Sequence, residues 1–226
     1  MLIEENSAYR RYTRVWHVLA AIATLLIGYN FTQNESQTTT NGVFGASFYS
    51  TLTFLIGWAF NFGVTIWVSF IAGPMMYKLL DRHTFSNVQG HLFPIFFVIL
   101  GCTSFAQLAI FTKVKGLSNL SNSDYMAVAG MLASFLAGLL NSIYLSPMMN
   151  KTLTKRINME KEEGVVAPNI GSKLGENPMY KQLSRQFGKL HGVSTLLNLL
   201  GLAGNTYLAY YISLELLHGS WAMNKA

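Results

Sequence analysis

The stretch that decides the fold is residues 52–77, LTFLIGWAFNFGVTIWVSFIAGPMMY, which contains no charged side chain. About 20 apolar residues in an α-helix cross the hydrocarbon core of a bilayer, so this stretch predicts a transmembrane helix. Four further apolar stretches occupy residues 15–31, 92–112, 125–149 and 193–217. The sequence therefore predicts an all-α fold, a polytopic transmembrane helical bundle with five spans.

Lysine and arginine are distributed unevenly among the segments that connect these spans. The N-terminal tail, the second loop and above all the fourth loop carry most of them, whereas the first loop carries none. Loops on the cytoplasmic side of membrane proteins are enriched in basic residues. We therefore expect the N-terminus inside and the C-terminus outside.

The composition indicates a membrane protein without a separate soluble domain. The chain has 226 residues, of which 51% are hydrophobic and 12% are charged, whereas soluble domains carry about 25% charged residues. We divide it into residues 1–50 (tail, first helix and polar loop), 51–217 (four-helix membrane domain with an inner loop at 150–190) and 218–226 (tail). The net charge of +6 lies in the inside loops, so we expect anionic phospholipids as partners and no nucleic acid.

Small residues recur at every fourth position of the span at 125–149. They are Gly130, Ser134, Gly138, Ser142 and Ser146. Spacing of four keeps these side chains on one face of a helix, where a second helix can approach closely. The pattern predicts a helix-packing face.

Uncharged polar side chains lie within the predicted spans, whereas no Asp, Glu, Lys or Arg falls in the middle of one. They are Asn61, Gln107, Asn141, Asn198 and Asn205. These residues can line a polar pathway or form hydrogen bonds between helices, and their scattered positions favour the second interpretation. A proton relay or an ion-coupled pump normally uses an ionisable group at this depth.

Signatures of catalysis and cofactor binding are absent from the sequence. It contains no Walker A motif, GxSxG elbow, dinucleotide fingerprint, HxxxH or HExxH. The single cysteine, Cys102, cannot form an intrachain disulfide. We expect no catalytic residues, no metal site and no cofactor, with haem or metal binding through the five histidines kept as an alternative.

The ends of the helices carry three further signals. Residues 81–90 are polar and predict a hinge, and Pro94 is expected near the start of the third span, where its missing N–H costs little. From Pro178, apolar residues at helical spacing alternate with Lys181 and Arg185. This pattern is typical of a basic amphipathic helix along the inner interface, or of a plain helical extension of the last span.

Three sequence blocks resemble the transmembrane protein 205 family. They are WVSFIAGPMMYKLLDRHTFSNVQGHLFPIFF from residue 67, YLSPMMNKTLTKRINMEKEEG from residue 144 and YKQLSRQFGKLHGVSTLLNLLG from residue 180. The matching residues are Trp67, Gly73, Arg82, His83, Phe85, Val88, Gln89, Leu92, Phe93, Pro94, Pro147, Phe187, His191, Gly192, Ser194 and Asn198. The resemblance implies a four-helix membrane protein without an established reaction. The chain departs from it in the added helix at 15–31 and in Ser146, where the family can carry a carboxylate.

Four of these residues predict a polar cluster at the inner face of the membrane. Arg82, His83, Gln89 and His191 would meet there if the second, third and fifth helices pack together. Such a cluster can cap helix ends or bind a lipid headgroup, and we favour capping.

The leading functional hypothesis is a non-enzymatic accessory, structural or assembly subunit of a larger membrane complex, with other membrane subunits as partners. The mitochondrial inner membrane is favoured over the secretory pathway. A small transporter, a channel or a trafficking protein is the alternative.

Overall fold

The computed structural model describes residues 48–165 and 171–223, and every regular element in these ranges is a helix. The predicted all-α fold is thereby confirmed for the described part of the chain. The predicted first span at residues 15–31, with the tail and loop around it, lies outside the described residues.

The described helices form four long helical segments. The first is α1 (Phe48–Ile66), which continues through a π-helical stretch (Trp67–Ala72) into α2 (Gly73–Leu79). The second is α3 (Arg82–Lys115). The third is α4 (Asn122–Leu140), which continues through a second π-helical stretch (Asn141–Leu145) into α5 (Ser146–Glu162). After the short α6 (Gly171–Glu176) comes the fourth, α7 (Pro178–Met223).

Three of the described helical segments are long and apolar enough to cross a membrane. They span Tyr49–Leu79, Arg82–Lys115 and Asn122–Glu162. Helix α7 is 46 residues long, but its apolar half contains Asn198 and Asn205, which form hydrogen bonds with other helices. These two asparagines, which lower its hydropathy, therefore contact the bundle.

Apolar and polar side chains are distributed as expected for a protein surrounded by lipid. Trp67, Ile143 and Leu196 are each more than half exposed, whereas Asn61 and Gln107 are buried. Lipid acyl chains accept apolar surface but cannot hydrogen bond, so polar groups must find partners inside the protein. The bundle therefore exposes apolar side chains to its surroundings and keeps its amides inside.

The start of α3 differs from the prediction. Residues 82–90 are not a hinge but the first turns of the helix, which Asp81 caps by accepting a hydrogen bond from the Thr84 backbone N–H at 3.0 Å. Hydrogen bonds from Thr84 hold the pKa of Asp81 below its usual value. Pro94 lies in the helix interior and is buried. Polar composition alone does not distinguish a hinge from a helix that extends out of the membrane.

A side chain from another helix compensates for Pro94. Proline has no N–H for the carbonyl four residues earlier, which here belongs to Gly90. The Asn150 Nδ2 on α5 donates to this carbonyl at 2.9 Å. A Cβ at Gly90 would lie 3.3 Å from Asn150 Oδ1, so glycine gives the amide room to approach.

The two π-helical stretches each end just before a proline. In each stretch an N–H bonds to the carbonyl five residues earlier, from Gly73 to Val68 and from Ser146 to Asn141. The wider turn ends where Pro74 and Pro147 remove a donor.

The first and third helical segments share a spacing of key residues. Gly57, Asn61 and Pro74 in the first correspond to Gly130, Ser134 and Pro147 in the third, and each proline precedes two methionines. The glycines face the neighbouring helix in both cases, Gly57 against Gln107 and Gly130 against Gly204. The first and third segments therefore share a local pattern, a glycine at a helix contact and a proline 17 residues later that ends a π-helical stretch.

Candidate functional site

A buried carboxylate lies at the centre of a charged cluster where α3, α5 and α7 meet. Glu160 is 0% exposed. The Tyr180 hydroxyl donates to its Oε1 at 2.7 Å, and His83 Nε2 lies 2.8 Å from its Oε2. Arg82 Nη2 and Arg156 Nε lie 3.4 and 3.6 Å from Oε1. A buried charge is tolerated only when it is paired and hydrogen bonded, so this cluster fixes the three helices relative to one another.

The tyrosine of the cluster stays a hydrogen-bond donor. Burial raises the pKa of the Tyr180 hydroxyl, and its hydrogen bond to the Glu160 carboxylate raises it further. Tyr180 itself lies in the first turn of α7, where the Asn177 side chain accepts hydrogen bonds from the Met179 and Tyr180 N–H groups. The start of α7 is thus held both by its cap and by Glu160.

Aromatic contacts extend the cluster along α7. The Arg156 guanidinium lies over the Phe187 ring, 5.2 Å from its centroid, which adds a cation–π contact. Phe187 in turn stacks on His191 at 5.9 Å. These contacts join α5 to the part of α7 that precedes its apolar half.

The structure brings together only part of the predicted inner-face cluster. Arg82 and His83 both contact Glu160, whereas His191 stacks on Phe187 and Gln89 lies nearly two turns further along α3. The sequence analysis missed Glu160, which is the centre of the cluster. The spacing of four between Arg156 and Glu160 was an available signal, because such residues face each other on a helix.

A second polar network lies in the middle of the bundle. Asn61 Nδ2 donates to Thr103 Oγ1 at 2.7 Å and to Ser104 Oγ at 2.9 Å. Asn205 Nδ2 donates to Asn61 Oδ1 at 3.2 Å and to Ser134 Oγ at 3.1 Å. The network joins α1, α3, α4 and α7. Two of the five predicted intramembrane amides therefore contact each other.

The other predicted amides lie apart from this pair. The Ser194 hydroxyl donates to Asn141 Oδ1, and Asn198 Nδ2 donates to Ser69 Oγ at 2.9 Å. Gln107 is 1% exposed, and neither of its side-chain polar atoms has a hydrogen-bond partner among the described residues. Four of the five amides bond to another helix, which is the behaviour of groups that hold helices together.

A third cluster lies at the opposite end of the bundle. The Tyr211 hydroxyl donates to Asp124 Oδ1, and Lys115 Nζ lies 3.7 Å from Asp124 Oδ1 and 3.4 Å from Glu215 Oε1. Asp124 also closes a capping box with Ser121 at the start of α4. This cluster ties α3, α4 and α7 together at that end.

The small residues of α4 pack against neighbouring helices of the same chain. A Cβ at Gly130 would lie 2.9 Å from the Gly204 carbonyl oxygen, and one at Gly138 would lie 2.6 Å from the Gly101 nitrogen. Ser134 lies opposite Gly201. Ser142 is half-buried, and Ser146 is buried. The face therefore serves contacts within the bundle.

Metal-binding residues do not converge within the described ranges. Among residues 48–165 and 171–223, no group of three or more His, Cys, Asp or Glu side chains could hold a metal ion. His17 lies outside these ranges, and the side chain of His218 is not described.

Comparison with known proteins finds a family model and curated proteins that match this chain. The domain of unknown function DUF4149 matches residues 56–158. Transmembrane protein 205 of Danio rerio is 27% identical over 171 residues, which cover 70% of this chain and 88% of the zebrafish protein. The chain is similar to transmembrane protein 205 over most of the length of both proteins. The resemblance predicted from the three sequence blocks is thereby confirmed, and the match identifies a multi-pass membrane protein. No solved structure matches.

Proposed function

We propose that this protein, which is similar to transmembrane protein 205, is a non-enzymatic accessory or assembly subunit of a larger membrane complex. The observation that carries the proposal is the Glu160 cluster. It joins α5 and the start of α7 to α3 at a level beyond the apolar stretches of these helices. The result is a rigid projection from the bundle that suits protein contacts.

The projection, which we name the inner hairpin, consists of residues 150–162 of α5 and residues 178–192 of α7. At about 1.5 Å per residue, Glu160 lies roughly 16 Å beyond the end of the apolar stretch at 149, and Tyr180 lies roughly 20 Å before the stretch that starts at 193. The headgroup layer on each side of a bilayer is only about 5–8 Å thick. The inner hairpin therefore extends past the headgroups and is accessible to other proteins.

The proposed topology has five spans, with the N-terminus inside and the C-terminus outside. The described helices alternate in direction, so the connections at 80–81 and 163–177 share one end of the bundle and the connection at 116–121 lies at the other. The lysines and arginines of the inner hairpin favour the cytoplasmic or matrix side for the first end. The stretch at 15–31 supplies the additional span.

We propose the mitochondrial inner membrane as the compartment, because it is rich in multi-subunit complexes and would place the basic hairpin in the matrix. Asn34 and Asn119 stand in Asn-x-Ser sequences on the predicted outer side. A protein of the secretory pathway would carry glycans there. Treatment with a glycosidase should leave the apparent mass unchanged, and a mass shift would contradict the mitochondrial assignment.

Native electrophoresis of gently solubilised membranes tests the proposed function. We expect the wild-type chain to migrate with a complex much larger than its own 25.1 kDa. The variant Glu160→Gln, which loosens the inner hairpin, should shift toward the free chain. Migration of the wild-type protein as a monomer would contradict a role as a subunit.

A small transporter is the second candidate, favoured by the Asn61–Asn205 network in the middle of the bundle. Transporters often place substrate sites near the midplane of the bilayer. Reconstitution of the wild-type protein, Asn61→Leu and Asn141→Leu into liposomes separates the two candidates. A subunit gives no flux in any of the three, whereas a transporter gives a wild-type flux that the Asn61→Leu variant loses.

A further inference from the structure

The outward face of the inner hairpin carries a row of basic residues. Lys181, Arg185 and Lys189 on α7 are all exposed, and Gln182 and Gln186 lie beside them, also exposed. The spacing of four residues puts the charges about 6 Å apart along one face of the helix. We name the five residues the basic stripe.

The opposite side of the same turns faces the protein. Tyr180 and Leu183 are buried, and Phe187 packs under Arg156. The orientation of this part of α7 is therefore fixed by α5 and Glu160, and the basic stripe must point away from the bundle. Rigid presentation reduces the conformational entropy that a partner has to overcome on binding.

The charges of the basic stripe have no acidic counterpart in the described structure. Among residues 48–165 and 171–223, no ion pair joins Lys181, Arg185 or Lys189 to a carboxylate. Helix α7 itself contains no acid before Glu215. By contrast, Lys173 pairs with Glu163 at 3.3 Å. The stripe is thus a region of uncompensated positive charge.

The continuity of α7 decides between a bilayer and a protein as the partner. The helix runs from Pro178 to Met223 without a break, so the stripe cannot fold back onto the membrane plane. Lys189 lies about 6 Å before the apolar stretch at 193, at the level of the headgroups. Arg185 lies about 12 Å and Lys181 about 18 Å before this stretch. Both distances exceed the headgroup layer of about 5–8 Å, and the usual helix tilt of about 20° changes them little.

We propose that the basic stripe docks an acidic helical segment of a partner protein, one with Asp or Glu side chains at the same spacing of four. This inference rests on the proposed function and names the contact surface of the subunit. Complementary charges on the two helices fix their register, and like charges in the same place would oppose docking.

Site-specific photocrosslinking in intact membranes tests the proposal. A photoreactive phenylalanine derivative replaces Gln186, and the same derivative at Lys155 on the exposed side of α5 serves as the control position. We expect a protein adduct from position 186 whose crosslinked segment carries Asp or Glu at helical spacing. A phospholipid adduct, a segment without acids or no protein adduct at all would overturn the proposal.

Reversal of the charges on the basic stripe provides a second test of the docking proposal. Lys181→Glu, Arg185→Glu and Lys189→Glu together should lower the adduct yield at least about tenfold, since like charges across an interface cost several kcal/mol. The control combines Lys151→Glu, Lys155→Glu and Lys161→Glu on the exposed side of α5, which changes the net charge by the same amount as the stripe variant. This control should lower the adduct yield less than about twofold. Lysines in place of the partner's acids should restore the adduct of the stripe variant.

Native electrophoresis of the same variants distinguishes failure of the proposed subunit role from failure of the proposed docking surface. If the wild-type chain migrates as a monomer, the proposed function fails. If the wild-type chain and the stripe variant both remain in the large complex and give equal adduct yields, the subunit role stands and the docking surface is elsewhere.

Discussion

At the residue scale, the fold depends on polar atoms that lack their usual partners and obtain them from another helix. Glu160 is neutralised by groups on α3, α5 and α7. The Gly90 carbonyl, four residues before Pro94, accepts a hydrogen bond from the Asn150 side chain. The sequence predicted that Arg82 and His83 belong to one inner-face cluster. Their partner Glu160 was missed because it stands in a charged run that is typical of a solvated helix, and only its spacing of four from Arg156 pointed to it.

Replacement of Glu160 by glutamine tests the charged cluster. Gln keeps the size of the side chain but leaves Arg82 and Arg156 without a counter-charge, and breaking a buried pair costs about 3 kcal/mol. The control is Glu163→Gln, which removes the exposed pair with Lys173 and should cost less than about 1 kcal/mol. Unfolding by SDS in mixed micelles measures the free energy of unfolding of both variants. Equal losses of this free energy in the two variants would contradict a structural role for the cluster.

The contact between Asn150 and Gly90 predicts an interaction with Pro94. Asn150→Leu removes a donor from the Gly90 carbonyl and should cost about 1 kcal/mol of unfolding free energy. In a Pro94→Ala background the helix recovers its own N–H donor, so the same change should cost almost nothing. A double-mutant cycle measures the difference, and purely additive effects would show that Asn150 does not compensate for the proline.

At the scale of helices, the apolar stretches predicted the four described helical segments but not their internal geometry. The spans were expected at 52–77, 92–112 and 125–149; the structure extends the first by less than one turn at each end and the other two by further turns. The added turns are polar, and polar residues outside a membrane leave no apolar signal. The π-helical stretches before Pro74 and Pro147 were also not predicted. In a π-helix each N–H bonds to the carbonyl five residues earlier instead of four, and this change leaves no trace in the amino-acid composition.

Close contacts between helices predict which glycines tolerate a methyl group. A Cβ at Gly138 would lie 2.6 Å from the Gly101 nitrogen, and one at Gly204 would lie 2.5 Å from the Gly130 oxygen. Gly138→Ala and Gly204→Ala should therefore each destabilise the protein by about 1–3 kcal/mol.

The matched control for these glycines is Gly63, where an added Cβ meets nothing within 4 Å. Gly63→Ala should be neutral or should stabilise α1 by up to about 1 kcal/mol, because alanine favours the helix. The SDS midpoint of each variant measures the effect. A loss at Gly63 equal to that at Gly138 would mean that helix contacts do not decide the outcome.

At the scale of the whole molecule, the all-α class and the similarity to transmembrane protein 205 were predictable from the sequence, whereas the arrangement of the polar residues was not. The length of an apolar stretch and the resemblance of a sequence block to a family depend only on consecutive residues, so both can be read from the sequence. The pairing of Asn61 with Asn205, or of Tyr180 with Glu160, depends on which helices become neighbours. The same limit explains why the sequence predicted a packing face on α4 but not that α3 and α7 pack against it.

The measurement that most directly tests the account is the sidedness of single cysteines in sealed vesicles of known orientation. In a Cys102→Ser background, an impermeant maleimide should label Gln186→Cys only from the inner side and Ser123→Cys only from the outer side. That result would place the inner hairpin and the α3–α4 connection on opposite faces of the membrane. Labelling of both positions from the same side would contradict a bundle that spans the bilayer with its basic hairpin inside.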